Sequence, residues 1–189
     1  MVSNPQRREL LADAGLRVLA HAGARGLTHR AVDAEAGVPP GTASNYFRSR
    51  DALLGGLGER IFQRLTPDPE VLATLGAREP SAELFVDYIR DIVRRLRAAP
   101  DLTRALIELR LEGARRPELG RILGATLRRF YREDVAFHEA TGLAGGAFEI
   151  ALLHYALDGL MLDLLTTSID ADVDVDDVVR AFATRLVGT

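Results

Sequence analysis

No cysteine occurs among the 189 residues, which excludes disulfides, thiolate metal sites and a cysteine nucleophile and leaves the redox compartment open. Lysine is missing as well. All 24 basic residues are arginine, a bias that extends to helices with no phosphate partner in prospect and that we read as codon usage. The opening stretch, MVSNPQRREL, lacks an apolar run of signal-peptide length, and no segment approaches the roughly 18 apolar residues of a membrane span. A soluble, cytoplasmic protein without a membrane partner is expected. There is no alternating strand pattern, internal repeat or low-complexity tract, which leaves an all-α chain. A Gly-rich phosphate loop, a two-histidine helix motif and a serine with an evident base are absent too, so an enzyme is not expected and no cofactor is implied.

What the chain does contain is 47% hydrophobic residues, ample for a core, and an uneven charge. The formal net charge is −3, yet residues 1 to 50 hold seven arginines against four acids and the remainder seventeen against twenty-three. The positive end coincides with residues 27 to 54, LTHRAVDAEAGVPPGTASNYFRSRDALL. Leu27, a cap at Thr28 and Val32 form a hydrophobic staple that fixes the helix entry. Val32 and Ala36 share one face, Gly37 ends the helix, and Ala43 and Phe47 repeat the four-residue spacing after the turn. Two apolar faces are thus aimed at each other, the plan of a helix-turn-helix whose second helix is free for a DNA major groove.

Before this stretch, Leu10, Leu11, Ala14, Val18 and Leu19 mark an amphipathic helix over residues 6 to 22, ended by Gly23 and Gly26. Arg7 and Arg8 at its front read either as a solvated face or as an arm near phosphates. After it, Ser49 can cap a helix through Leu65, stopped by Pro67, which would be the only continuous mechanical link between the two halves. Residues 66 to 80 hold three prolines and read as a loop with a short helical turn. Four helices and a terminal one follow. Ser81 caps a run to Pro100, Asp101 caps the next, and Pro117 opens a long helix closed by Gly142. Residues 145 to 168 are apolar on more than one face, and 174 to 187 are amphipathic. About nine helices result, organised as a helix-turn-helix domain at 1 to 50, a linking helix at 51 to 65 and a helical domain at 66 to 189.

Residues 8 to 54 resemble the TetR family of bacterial transcriptional regulators. The run RRELLADAGLRVLAHAGARG, then LTHRAVDAEAGV, then GTASNYFRSRDALL follows the family's order and spacing, most specifically at Tyr46, Phe47, Arg50 and Leu53. The resemblance implies a ligand-responsive, sequence-specific DNA-binding regulator. It would bind a near-palindromic double-stranded operator as a homodimer, most often as a repressor, and be released by a small molecule in the C-terminal domain. The resemblance also assigns the helices at about 145 to 168 and 174 to 187 to the dimer interface. Two positions depart from the pattern. Pro39 and Pro40 stand where a Ser or Thr cap and a long polar residue are usual, so Pro40 suits the first helical position but the side-chain cap is lost. Asp33 stands where a small apolar residue is commoner, and the sequence offers it no partner.

With Ala43 and Phe47 inward, a helical wheel turns Gly41, Thr42, Asn45 and Arg48 outward, with Ser44 and Tyr46 on the flanks. Asn45, with Arg30 from the preceding helix, is expected to carry most hydrogen-bonded base readout, while Pro40 and Thr42 add apolar contact to thymine methyls. The alternative for Arg30 is a solvated or internally paired residue. Thr28, His29, Ser44, Tyr46 and Arg50 are the phosphate candidates, aided by the amides that begin these helices. Arg50 opposes its own helix dipole unless an outside anion compensates it.

In the C-terminal half, Phe85, Tyr88, Ile89, Leu106, Leu109, Phe130, Phe137, His154 and Tyr155 are candidates for lining an effector cavity, although each reads first as an ordinary core residue. His154 and Asp158 lie four apart and can orient each other or a ligand, but no third ligand has metal spacing. The run IDADVDVDD, 169 to 177, is similar to a calcium loop through Asp170, Asp172 and Asp174. Val175 and Ala181 occupy the positions that need Gly and Glu, so it reads as a solvated connector. A DNA-binding regulator without a small ligand, and an all-α enzyme carrying a helix-turn-helix, are the competing readings.

Overall fold

The computed structural model describes residues 4–170 and 172–187. Among these the chain forms ten helices and no strand. It divides into two compact units, one of residues up to Leu65 together with Asp101–Leu127, the other of Thr66–Pro100 and Arg128 onward.

In the first unit, α1 (Pro5–Gly26) is capped by Asn4, whose side chain accepts from Arg7 N–H at 3.1 Å, and has proline in its first turn. Its regular geometry breaks at Gly23 (φ 64°, ψ −178°), as the sequence suggests, and a short helical stretch follows the kink to Gly26. Then come α2 (His29–Glu35), α3 (Thr42–Tyr46) and α4 (Arg50–Arg64), with α7 (Pro100–Arg115) and the front of α8 (Pro117–Ala140) completing the unit. Ser49 caps α4 as its position suggests, accepting from Ala52 N–H at 3.1 Å. Asp101 does not cap α7, because Pro100 is already the first helical residue and Asp101 lies in the first turn.

The glycines of α4 are contact surfaces. A Cβ on Gly56 would lie 2.4 Å from the Phe47 ring, and one on Gly55 or Gly58 would meet Ile122 at 2.5 Å or Leu123 at 2.7 Å. Gly costs about 1 kcal/mol in a helix interior, and here that cost is offset by letting Phe47 on one side and α8 on the other approach the backbone. Arg116, just ahead of α8, reinforces the approach through an ion pair with Asp51 in the first turn of α4, Nε to Oδ1 2.6 Å.

The second unit holds α5 (Pro69–Gly76), α6 (Ala82–Ala98), the rear of α8, α9 (Ala147–Leu165) and α10 (Val175–Val187). Helix α5 exceeds the short turn expected among the prolines, because Asp68 accepts from Glu70 N–H at 2.8 Å and Pro69 suits the first helical position. Ser81 caps α6, accepting from Leu84 N–H at 3.1 Å. The core joins Phe85, Val86, Ile89 and Val93 of α6 to Ile150, Leu153 and Leu157 of α9 and to Val179 and Ala183 of α10. Outside it, Arg90 donates to Glu83, Asp87 and Asp176, and Arg180 donates to Glu83, so ion pairs lace α6 to α10.

The chain passes from one unit to the other after Leu65, after Pro100 and after Leu127. The second crossing falls in the first turn of α7 and the last in the middle of α8. Helix α8 runs across the last boundary, while α4 ends at Arg64, next to the first.

Candidate nucleic-acid interface

Helix α2 is set by its staple. Leu27 and Val32 are fully buried and Thr28 Oγ1 accepts from Ala31 N–H at 3.1 Å, while Gly37 turns the chain with φ 64°. Pro39 and Pro40 then form an exposed turn, and Gly41 precedes α3 at φ 89° in the left-handed region, which an L side chain enters only with strain. Pro40 is thus a turn residue and not the first residue of the helix.

The cap that the prolines cannot give comes from α2. Asp33 is 3% exposed, its Oδ2 accepts from Gly41 N–H at 2.7 Å, and its Oδ1 accepts from Ala43 N–H at 2.6 Å. Thr42 N–H is taken by Pro39 O at 3.2 Å. The amides that begin α3 are therefore engaged inside the protein beside a carboxylate, so the anion affinity expected of them does not apply. Asp33, out of pattern and without an evident partner in the sequence, thus finds its partner in the backbone that opens α3. The joint signal was an acid on one helix and a missing cap on the next.

Ala43 and Phe47 face inward and are buried, as the wheel requires. Gly41, Ser44 and Asn45 are exposed, while Thr42 and Tyr46 are partly covered. Arg48 is exposed but lies beyond the end of α3, because Phe47 already has extended geometry (φ −125°, ψ 96°), so the wheel does not apply to it. Thr42 Oγ1 donates to Pro39 O at 2.6 Å and Ser44 Oγ donates to Gly41 O at 2.8 Å, which commits both hydroxyl protons and leaves their lone pairs. Among the described residues, no side chain or backbone group pairs with the Arg30, Asn45, Tyr46 or Arg48 side chains. Two guanidinium groups, an amide and a phenol thus stand available around one short helix.

Other expected contacts have internal partners. His29 Nε2 donates to Phe47 O at 2.7 Å and ties the start of α2 to the end of α3. Arg50 directs its guanidinium at the carbonyls of Ala24 and Leu27, where α1 ends. Carbonyls at a helix end lack helical donors and carry partial negative charge, so the mismatch between Arg50 and its own helix dipole is answered within the chain and no longer points to a phosphate. Arg8 lies over the Phe47 ring, 4.8 Å from its centroid, while Arg7 is exposed.

The candidate effector residues do not gather in one unit. Leu106 and Leu109 fall in the first, the other seven in the second. Phe85 and Ile89 are core, and the Tyr88 ring meets Phe137 edge-on at 5.3 Å. Burial pushes the Tyr88 hydroxyl above the ordinary phenol range, with Arg78 opposing. His154 Nε2 pairs with Asp134 at 3.0 Å, an α8 residue absent from the sequence reading, and its ring meets Tyr131 edge-on at 5.7 Å. Arg129 covers the Phe130 ring at 4.4 Å. His138, buried but not singled out from sequence, has Nε2 on Ala144 O at 3.0 Å and its ring against Phe85.

Tyr155 is 70% exposed and shares an outer stripe of α9 with Phe148, Leu152 and Leu162, spaced four, three and seven apart. The opposite side of α9 supplies buried Ile150, Leu153, Leu157 and Met161, so both apolar faces foreseen for this helix exist. In the connector, Asp170 Oδ1 accepts from Asp172 N–H at 3.1 Å and Asp174 Oδ1 from Asp176 N–H at 2.8 Å, which is turn and helix-start chemistry. Ala171, within that run, lies outside the described residues.

Two family models match the chain, "Bacterial regulatory proteins, tetR family" over residues 11–57 and "Tetracyclin repressor-like, C-terminal domain" over residues 80–189. A curated relative, the HTH-type transcriptional regulator BetI of Rhizobium meliloti (strain 1021), is 31% identical over 125 residues, 66% of this chain and 61% of that protein's length. Among solved structures, the multidrug binding protein EbrR complexed with ethidium superposes with TM-score 0.72 at 26% identity, covering 97% of this chain and 99% of that one. A TetR family member, SCO1917, from Streptomyces coelicolor A3 gives TM-score 0.70 at 26% identity over 98% of this chain and all of that one. No described helix is long and apolar enough to cross a membrane.

Proposed function

The chain belongs to the TetR family of bacterial regulatory proteins, and from that premise we propose that it represses transcription by binding a near-palindromic operator as a homodimer, released by a small molecule. The observation that carries the reading is the exposed face of α3, where Asn45 has no internal partner and Arg30 stands equally unpaired on α2. An amide suits adenine and a guanidinium suits guanine in the major groove. Helix α3 is too short to sustain itself in water, so its presence depends on the buried Ala43 and Phe47 and on its caps. The outer stripe of α9 supports the dimer, because a twofold contact needs one self-complementary apolar surface and also sets two reading heads side by side.

For the effector, the supporting observations are the aromatic pairs of the second unit and the ethidium complex of EbrR. Flat aromatic cations are accordingly the first class to try. The deciding experiment selects bound fragments from random and genomic DNA, then measures affinity for the enriched sequence at several salt concentrations. A twofold symmetric enriched site, released by ethidium or proflavin, is the expected result. Binding that depends only on salt, with no sequence preference, overturns the operator reading. Operator binding that no aromatic cation perturbs overturns the effector class alone.

A further inference from the structure

Asp33 is a buried acid on a helix that faces DNA in the proposed function, and its two oxygens are spent on the backbone of the next helix. Helix α3 has only five residues, its cap position is Gly41, and neither Pro39 nor Pro40 carries a side-chain acceptor. Its opening N–H groups therefore have no local side-chain partner. With Asp33 in place, Gly41 N–H and Ala43 N–H are both held by one rigid carboxylate, and at the other end His29 Nε2 holds Phe47 O at 2.7 Å. Helix α2 thus grips α3 at both termini. A carboxylate accepting at two N–H groups two residues apart fixes the rotation of the short helix as well as its height, and rotation decides which side chains point outward.

We propose that Asp33 is a positioning residue for DNA reading, which sets the orientation of α3 through Gly41 and Ala43 without touching the duplex. The inference rests on the DNA-binding reading above. Its consequence is a division of labour, since a charge at the start of α3 neutralises the anion-attracting end of the helix. Helix α3 then reads bases through Asn45, and phosphates are left to other groups.

The test compares wild type, Asp33→Asn, Asp33→Ala and the double variant Asp33→Ala with Pro39→Ser. Each is assayed well below its Tm on the selected operator and on an unrelated duplex across salt concentrations. Asparagine keeps the shape but offers one acceptor oxygen, so operator affinity falls about tenfold, and about a hundredfold for alanine, while affinity for unrelated duplex stays within about twofold with the same salt slope. Pro39→Ser returns part of the operator affinity by offering a hydroxyl oxygen to the start of α3. Operator affinity of Asp33→Asn equal to wild type overturns the proposal. So does a parallel loss on both duplexes that tracks the folded fraction, which is what a merely structural acid would give. A wild type with no preference for any sequence removes the DNA-reading premise, and the proposal with it, before a variant is assayed.

Discussion

Arg50 illustrates how a single side chain joins three helices. It sits in the first turn of α4, and its guanidinium closes the carbonyls of Ala24 and Leu27 at the end of α1 and the entry to α2. Removing it leaves two partly buried carbonyls without donors, so Arg50→Ala is expected to lower unfolding stability by about 1–3 kcal/mol in denaturant titration. Because the charge is committed inward, the salt slope for unrelated DNA should stay the same; a slope reduced by about one phosphate would restore Arg50 to the DNA surface. The converse holds for Arg30 and Asn45, which have no internal partner. Alanine at either should leave Tm within about a degree yet cost about 1–3 kcal/mol of operator affinity and relax preference at one base position per half-site. Full operator affinity in the double alanine variant would remove both from the reading surface. The faces of α2 and α3 were legible from four-residue spacing, because Leu27, Val32, Ala43 and Phe47 report on their own helices. Asp33 and Arg50 were not, because each answers backbone groups 8 to 26 residues away, and no local pattern announces such a partner.

At the scale of elements, the least visible feature in the sequence was the way glycine-bearing α4 approaches its neighbours. Residues Leu54 to Gly58 hold three glycines, which propensity alone would count against a helix, and only the ring of Phe47 and the side chains of Ile122 and Leu123 explain them. Proline misled in the other direction, since Pro69 and Pro100 start helices α5 and α7. The pairing of α6 with α10 has a pH dependence that follows from its charges. Arg90 holds Asp176 below the usual carboxylate range, and Arg180, then Arg90, does the same for Glu83. At Asp87 burial opposes ionisation, but Arg78 and Arg90 outweigh it and the group is also lowered. Folded values below unfolded ones mean stability that is present above the unfolded pKa and lost as pH falls through the folded values. The Tm of wild type should therefore drop as pH is taken from about 5 towards 3. Asp176→Asn should start lower at neutral pH and show a shallower fall. Glu83 and Asp176 are exposed and Asp87 is only partly covered, so the effect is modest, and identical slopes in the two proteins would show that the α6 to α10 pairs contribute nothing.

For the molecule as a whole, the proposed dimer through the outer stripe of α9 would decide whether two reading heads act together. Phe148 is 69% exposed and Tyr155 70%, and Leu152 and Leu162 complete the stripe. Burying a large apolar side chain fully is worth about 1.5–3 kcal/mol, so covering what remains exposed of this stripe in a twofold contact would favour association. The two apolar faces of α9 were visible in the sequence as periodicity, but which face meets the molecule's own core and which is left over needed the packing of α6 and α10 against it. A pair of charges on the outer face tests the idea without disturbing the inner one. Tyr155→Arg with Leu162→Arg should yield a folded monomer by light scattering, with Tm changed only by what the lost association contributed. Such a monomer keeps one complete α2 and α3 surface. It should bind an isolated half-site about as well as wild type does, while the full operator loses the gain from linked binding, about a hundredfold or more. A variant that stays dimeric, or a monomer that holds the full operator with wild-type affinity, would separate DNA reading from the α9 stripe and move the dimer contact elsewhere on the second unit.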